Sequence, residues 1–185
     1  MANHSGRAAA GREPRLVVVS AHPDQLADLD VKSCRYCAYW ETTGTYPRAE
    51  PRSILEHRKR DCYRQQGVGG KIAYLTNQAV GYAQYGPAAA FPRVAEYAAG
   101  PPTADALFLA CLFVLPGAQG KGIGRALIEA VEAEAAHSGR PAVETFARRG
   151  SPNNPSGPLG FYLNRGYEVI LGDAEFPLVR KVVAG

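Results

Sequence analysis

The sequence feature that most constrains the fold is an unbroken apolar run from Ala106 to Leu115, followed at once by a glycine-rich segment. A strand that is apolar at every position is typical of a sheet with both faces covered. The run is too short to span a membrane, which takes about 18 residues or more. The sequence therefore predicts a sheet with a layer of further structure on each side.

The rest of the chain supplies candidates for those layers. Amphipathic periodicity and start signals such as Pro51 predict helices, and apolar runs bounded by turn residues predict strands. A short helix is predicted to begin near Pro23, and three further helices are predicted over about 51–66, 121–137 and 158–164. The predicted strands cover 15–20, 71–75, 79–85, 106–115, 143–147, 167–171 and 178–183. We expect one α+β domain with a mixed sheet over residues 15–185, preceded by a disordered tail over residues 1–14.

Composition excludes several classes of protein. The chain has 185 residues, of which 46% are hydrophobic and 21% charged, and these proportions are typical of a globular domain. The net charge of +4 is too small for a polybasic nucleic-acid surface, and the basic segment 48–64 is either an anion-attracting patch or a solvated helix face. The first residues lack the apolar core of a secretory signal, so we expect a cytoplasmic protein without a membrane partner.

The cysteines do not form a recognisable disulfide framework. Cys34 and Cys37 have C-x-x-C spacing, and with His57 and Cys62 they would make a four-ligand zinc set of mixed spacing. No second C-x-x-C pair supports zinc, and no strand–helix context supports a thioredoxin-type role. Cys111 lies within the apolar run. We therefore expect the thiols to be packing residues and expect no metal.

A glycine-rich loop from Gln119 to Gly124 joins the buried strand to an amphipathic helix. Glycines let backbone N–H groups converge, and a helix N-terminus carries about half a positive charge. Together they make a site for a pyrophosphate or a similar anion. The spacing matches neither a P-loop nor a Rossmann turn. The loop is therefore an anion site of another kind, with a plain glycine-rich turn as the alternative.

Two motifs in the right order make the chain similar to a known family. V-x-P at 114–116, Q-x-x-G-x-G at 119–124 and A-L at 126–127 resemble the acyl-CoA-binding motif of the GNAT N-acetyltransferase superfamily. The segment F-Y-L-N-R-G-Y at 161–167 resembles that superfamily's second signature, and the hairpin at 80–86 is similar to its early strands. The resemblance covers about residues 15–184. It implies a GNAT-type three-layer α/β/α fold, whose central mixed sheet splays into a V between the strands 106–115 and 143–147.

The resemblance also implies that acetyl-CoA binds in the gap of the V. Its pantetheine would pair with the backbone of Phe113 and Val114, and the Val114 N–H would polarise the thioester carbonyl. Relatives commonly carry an asparagine where this chain has Pro155, so the neighbouring Asn154 is the predicted donor contact, and only with a shifted loop. The remaining predicted donor-binding residues form the glycine loop and the start of the helix: Gln119, Gly120, Lys121, Gly122, Ile123, Gly124 and Arg125.

The implied reaction is direct attack of an amine on the thioester. It needs a neutral amine, a polarised carbonyl and a proton for the departing thiolate. Tyr162 matches the tyrosine that protonates the CoA sulfur in many relatives, with core packing as its alternative role. Phe108 occupies the position where many relatives have a catalytic glutamate, so Glu144 on the next strand is the predicted base. Glu41, Asp105 and water are the alternatives.

In this architecture the first helices and their connecting loop cover the acceptor cleft. The predicted acceptor contacts are Tyr39, Trp40 and Glu41 from the cover, and Tyr82 and Tyr85 from the hairpin. Aromatic rings with one carboxylate suit a cationic amine, and packing of the rings onto the sheet is the alternative. We therefore predict an acyl-CoA-dependent N-acyltransferase, an N-acetyltransferase that acts on a primary amine of a small molecule.

Other functions stay open from the sequence. A catalytically silent CoA-binding sensor is favoured by Phe108 and disfavoured by Tyr162. A transferase of the same fold could instead use a peptide amine as acceptor, or take its acyl group from aminoacyl-tRNA, which the basic segment 48–64 permits without requiring. No other nucleic-acid partner is expected, and a homodimer is left open.

Overall fold

The structure, a computed structural model, describes residues 15–22, 34–46, 49–65, 67–150 and 156–183. Over these residues the chain forms one seven-stranded sheet and three α-helices. The strands are β1 (Leu16–Ala21), β2 (Gly69–Leu75), β3 (Gln78–Gly86), β4 (Leu107–Val114), β5 (Ala142–Phe146), β6 (Glu168–Leu171) and β7 (Leu178–Val182), and the helices are α1 (Arg52–Arg64), α2 (Ile123–His137) and α3 (Leu159–Leu163). The tail over 1–14, the helix predicted near Pro23, and Asn154 lie outside the described residues.

The strands follow the order β1-β2-β3-β4-β5-β7-β6 across the sheet. Every neighbouring pair is antiparallel except β4 and β5, which are parallel. The predicted hairpin is confirmed, since β2 and β3 are joined by Thr76 and Asn77 alone, both with positive φ. Two-residue turns of this kind match the twist of antiparallel strands. The mixed α+β sheet predicted from the sequence is therefore confirmed.

The parallel neighbours β4 and β5 stay together over a short distance only. They are paired at Leu107–Val143 and Phe108–Glu144, and β4 then continues to Val114 with β3 alone as its partner. The register between β3 and β4 shifts at Ala110, which is an extra residue on β4. A bulge of this kind bends a strand. The predicted splay into a V is therefore present, with its open end at the carboxyl ends of β4 and β5.

One face of the sheet is covered by α2. The helix buries its apolar stripe, which consists of Ile123, Leu127, Ile128, Val131 and Ala135, against side chains of β3, β4 and β5. The helix lies very close to β3 because Gly81 has no side chain. A Cβ atom built there lies 3.0 Å from Ile123 Cγ2 and 3.0 Å from Leu127 Cδ1. Gly81 thus fixes how near the start of α2 lies to the splayed end of β4.

The other face is covered by α1, by the segment 34–46 and by short 3₁₀ turns between residues 88 and 96. A group of stacked rings joins this cover to the paired end of β4 and β5. The Trp40 ring centroid lies 5.3 Å from that of Tyr97 and 5.3 Å from that of Phe108, and Tyr97 stacks on Phe146 at 4.3 Å. No helix in the described part of the chain is long and apolar enough to cross a bilayer.

The contact at Gly81 gives a test of the packing. We expect Gly81→Ala to lower the free energy of unfolding by about 1–3 kcal/mol, because the added methyl overpacks the contact between α2 and β3. Gly172→Ala is the matched control, since a Cβ built at Gly172 meets no atom within 4 Å. Urea unfolding of both variants measures the difference. Equal stabilities would contradict the close packing described at Gly81.

Candidate functional site

A cavity of about 760 Å³ lies at the splayed end of β4 and β5. Its volume is within the range usual for small-molecule sites, about 300–1,000 Å³. Cys34, Cys37 and Cys111 line it from the side of the cover. The rest of its wall comes from the end of β4, the glycine loop with the start of α2, and the region of α3: Leu112, Phe113, Val114, Pro116, Ala118, Gln119, Gly120, Gly122, Ile123, Gly124, Arg125, Gly157, Pro158, Phe161 and Arg165.

The glycine loop presents backbone to this cavity. Gly120 and Gly122 have φ of 76° and 78°, a left-handed conformation that glycine adopts without strain. Gly122 is the N-cap of α2, no side chain caps the helix, and its first turn has no acidic residue. The positive end of the helix is therefore available to an anion. A Cβ atom at either glycine would meet no other atom within 4 Å, so the space above the loop is open.

The open edge of β4 presents backbone hydrogen-bonding groups to the cavity. The N–H of Leu115 donates to the carbonyl of Val80 at 2.9 Å, so alternation along the strand turns the N–H and C=O of Phe113 towards β3. The same alternation turns those of Val114 and Leu112 towards the gap. Gln119 Nε2 donates to the Val114 carbonyl at 3.3 Å. A ligand in the gap therefore meets the backbone of Val114 and Leu112, whereas Phe113, predicted as a backbone contact, lines the cavity with its side chain.

Two cationic side chains lie on the wall. Arg125 is largely exposed and forms a surface ion pair with Glu129 at 3.2 Å. Arg165 lies over the Phe161 ring with its guanidinium carbon 3.7 Å from the centroid, and donates to the Phe161 carbonyl at 2.7 Å. Sequence reasoning missed Arg165, although it lies within the second signature. Lys121, predicted as a contact, is exposed and is not part of the wall.

Tyr162 lies directly behind the cavity wall. Its side chain is fully buried, and its hydroxyl donates to the carbonyl of Ser156. A Cβ atom built on Gly157, which lines the cavity, would lie 3.4 Å from the Tyr162 hydroxyl oxygen. Burial raises the pKa of Tyr162 well above its ordinary value. The phenol is therefore neutral at physiological pH and separated from the cavity by one layer of backbone.

Glu144 lies at the paired end of the V and is not part of the cavity wall. It is opposite Phe108, four residues before Leu112, which corresponds to about 13 Å along the strand. Its carboxylate accepts from the Thr103 N–H at 2.8 Å, the Thr103 hydroxyl at 2.7 Å and Arg180 Nη1 at 2.5 Å. Because both oxygens are occupied in a fully buried setting, these contacts favour a structural role. The role of base stays a prediction.

The aromatic residues predicted for the acceptor lie outside the cavity wall. Trp40 belongs to the ring stack at the paired end of the V, and Tyr39 is hydrogen-bonded to Tyr97 at 3.0 Å. Tyr82 is buried on the α1 face, and its hydroxyl is hydrogen-bonded to the hydroxyl of Tyr63. Tyr85 lies on the opposite face, in the cluster beneath α2. Tyr82 and Tyr85 are three residues apart on β3, so the alternation of the strand places them on opposite faces.

Glu41 belongs to a buried polar cluster that joins the cover to the sheet. Its Oε1 accepts from Lys59 Nζ at 3.1 Å and from Gln84 Nε2 at 2.8 Å. Lys59 also donates to the Gln84 side chain. Burial by itself would lower the pKa of Lys59, but the Glu41 carboxylate raises it above its ordinary value, so the lysine stays charged. Glu41 Oε2 is buried and has no hydrogen-bond partner among the described residues.

The four residues considered as a zinc set are not brought together. Cys34 and Cys37 lie at the cavity, His57 is exposed on α1 beside Asp61, and Cys62 is buried with its thiol 3.9 Å from the Ala90 carbonyl. Within the described ranges, no cluster of histidine, cysteine and carboxylate side chains is arranged to hold a metal ion.

Comparison with known proteins agrees with this geometry. Residues 34–167, well over half of the chain, match the sequence profile of the acetyltransferase (GNAT) family. The chain therefore belongs to the GNAT acetyltransferase family, and the resemblance identified from its motifs is confirmed. Among curated proteins, none matches the sequence.

Solved structures of low sequence identity share the fold. PaiA N-acetyltransferase from Thermoplasma acidophilum, in complex with coenzyme A, has a TM-score of 0.61 at 15% identity, covering 91% of this chain and 99% of its own. The ribosomal-protein-S18-alanine N-acetyltransferase from Escherichia coli has a TM-score of 0.59 at 12% identity, covering 92% and 96%. An aminoglycoside N-acetyltransferase in complex with CoA has a TM-score of 0.55 at 17% identity, covering 79% and 84%.

The partners of Glu144 lead to a stability prediction. We expect Glu144→Gln to lower the free energy of unfolding by about 1–3 kcal/mol, because an amide cannot accept at both positions from Thr103 and Arg180. Asp105→Asn is the control, since Asp105 is exposed and 4.0 Å from the same arginine, and its change should stay within about 0.5 kcal/mol. Urea unfolding measures the free energy of unfolding of both variants. Unaltered stability in Glu144→Gln would contradict the structural role.

Proposed function

We propose that this protein is an N-acetyltransferase that transfers the acetyl group of acetyl-CoA to a primary amine of a small molecule. The observation that carries the proposal is the uncapped start of α2, with Gly120 and Gly122 in left-handed conformation, next to the open edge of β4. An anion site and an unpaired strand edge in one cavity fit a ligand that joins a pyrophosphate to a peptide-like arm. The arm would be pantetheine, whose amides can pair with a strand.

Each part of the donor has a candidate contact on the wall. The pyrophosphate would accept hydrogen bonds from backbone N–H groups of the loop and of the first turn of α2. The pantetheine would lie along the edge of β4 and pair with Val114 and Leu112. Arg125 and Arg165 border the same cavity and can pair with the remaining phosphate of CoA.

The chemical step would be attack of a neutral amine on the thioester carbonyl. The Val114 N–H faces the gap and can donate to the oxygen on which negative charge develops. Collapse of the tetrahedral intermediate breaks the carbon–sulfur bond, and the thiolate then takes a proton. Tyr162 lies behind the cavity wall and is held neutral by burial, and it would donate this proton after giving up its hydrogen bond to the Ser156 carbonyl.

The proton of the attacking amine needs an acceptor. Glu144 is the predicted base, but its carboxylate is occupied by Thr103 and Arg180 at the far end of the V. Water that enters the gap is the acceptor that the geometry supports better. An amine that arrives neutral needs no side chain for this step, so the rate should rise with pH until the amine is fully deprotonated.

The acceptor would approach from the side of the cover. Cys34 and Cys37 line the cavity there, and a cationic amine is supported by Glu41 of the same cover segment, whose buried Oε2 has no hydrogen-bond partner among the described residues. The similar structures include an enzyme named for aminoglycosides and one named for a protein N-terminal alanine. Assays with acetyl-CoA and a library of small amines and peptides, followed by mass spectrometry of the products, test the acceptor class.

Donor binding is tested at the glycine loop. Gly122→Asp places a carboxylate at the start of α2, so we expect acetyl-CoA affinity to fall by about 3 kcal/mol or more, over 100-fold in Kd. Gly139→Asp is a matched control, because Gly139 follows the other end of α2 with φ of 69° and open space around it. Isothermal titration calorimetry measures the Kd of acetyl-CoA for both folded variants. Equal affinities would overturn the placement of the pyrophosphate.

Proton donation is tested at Tyr162. Tyr162→Phe keeps the buried ring and removes the hydroxyl, so we expect kcat to fall by about 10²–10⁴ with little change in acetyl-CoA affinity. Because the hydroxyl also holds the Ser156 carbonyl, thermal unfolding should be measured alongside. A variant that loses stability but keeps full turnover would assign Tyr162 a structural role instead.

A further inference from the structure

Three of the chain's four thiols line the side of the cavity from which the acceptor would approach, and the proposed chemical step uses none of them. Cys34, Cys37 and Cys111 all line the cavity. Cys34 is buried, Cys37 and Cys111 are half-buried, and none of the four cysteines is in a disulfide. The fourth, Cys62, lies apart from them against the Ala90 carbonyl. The cavity therefore gives a small reagent access to three thiols, but not to Cys62.

Cys34 and Cys37 lie on a single turn. The Cys37 N–H donates to the Cys34 carbonyl at 3.2 Å and closes a 3₁₀ turn. A turn closed in this way holds the two Cα atoms within about 7 Å, and disulfides join Cα atoms about 4.4–6.8 Å apart. Tyr46 holds the turn from outside, since its hydroxyl donates to the Tyr36 carbonyl and accepts from the Ala38 N–H, both at 3.4 Å. The spacing of the turn is therefore within the range that a disulfide requires.

Cys111, on β4, lines the same part of the cavity as this turn. Burial raises the pKa of Cys111 well above its ordinary value, and the neighbouring Cys34 and Cys37 act in the same direction. Because a thiolate is the attacking species in exchange, Cys111 is a poor nucleophile here. The turn itself holds the pair that is poised to react.

We propose that Cys34 and Cys37 form a redox pair that a low-molecular-mass disulfide oxidises reversibly, and that the resulting bond reshapes the acceptor end of the cavity without altering the glycine loop. The thiolate of one cysteine attacks a sulfur of the reagent, whose S–S bond breaks, and the departing thiolate takes up a proton. The second cysteine, as thiolate, then attacks the mixed disulfide and releases the other half of the reagent as a thiol. Two thiols lose two electrons and two protons, and one reagent disulfide becomes two thiols.

The inferred effect on catalysis rests on the proposed function. The bond draws the two sulfurs to about 2.05 Å of each other, so side chains that line the cover side of the cavity must change position. The glycine loop and the edge of β4 are on other parts of the wall and need not move. We therefore expect unchanged acetyl-CoA affinity in the oxidised protein, and a loss of about tenfold or more in kcat/KM for the acceptor.

The decisive experiment exposes the whole protein to glutathione disulfide and then alkylates the remaining thiols. We expect the intact mass measured before alkylation to fall by two hydrogens, peptide mapping after alkylation to show a Cys34–Cys37 bond, and dithiothreitol to restore both thiols. Cys34→Ser and Cys37→Ser should each prevent this bond and keep a glutathione adduct on the remaining cysteine. Cys62→Ser and Cys111→Ser should form the Cys34–Cys37 bond as the wild type does.

Two outcomes would overturn the proposal. One is complete alkylation of Cys34 and Cys37 after oxidation of the folded wild-type protein, and the other is a bond that includes Cys111 or Cys62. The measurement on the wild-type protein shows whether the Cys34–Cys37 bond forms, even if a variant fails to fold. The result is also separate from the proposed function, because the disulfide is read by mass and acetyl-CoA binding is measured by calorimetry on the reduced protein. Undiminished turnover of the oxidised protein would contradict the inferred effect of the disulfide on the acceptor end of the cavity.

Discussion

The short pairing of β4 with β5 is the constraint on which the rest of the site depends. Two parallel strands joined at only Leu107–Val143 and Phe108–Glu144 leave the last part of β4 without a partner on one side. Unpaired strand backbone inside a protein needs a hydrogen-bonding partner, and a peptide-like ligand arm is one. The same divergence makes room for the cavity. The unpaired edge of β4 and the cavity beside it therefore both result from the short pairing of β4 with β5.

The paired end of the V is held by contacts of two different kinds. On the cover face, the rings of Trp40, Tyr97, Phe108 and Phe146 form a stack, and rings at such distances add stabilisation beyond their burial. Beside the stack, Glu144 ties Thr103 to Arg180. These contacts keep β4 and β5 together at one end, so the opening is confined to the other. A residue can thus be essential to the site without touching a ligand.

The cover is attached to the sheet through buried charge as well as through apolar packing. Lys59 on α1, Glu41 in the segment 34–46 and Gln84 on β3 are hydrogen-bonded to one another in the interior. Removing Lys59 or Glu41 would leave the other as an uncompensated buried charge, which typically costs about 3–5 kcal/mol. The cluster therefore ties α1 and the segment 34–46, which carries Cys34 and Cys37, to β3.

The sequence by itself determined the order of elements, the buried strand β4, the amphipathic stripe of α2 and the anion-binding loop between them. These are local properties, because apolar periodicity and glycine spacing act over a few neighbouring residues. The resemblance to the family was also visible in the sequence, because it rests on two local motifs that occur in the expected order. Only the tertiary structure decided which side chains reach the cavity. Tyr82 packs under α1 and Tyr85 under α2, Trp40 packs in the ring stack, and the bulge at Ala110 places Cys111 on the cover face of β4, in one cavity with Cys34 and Cys37. Each of these depends on contacts between residues distant in the chain, and no local pattern records how strands pair or where they part.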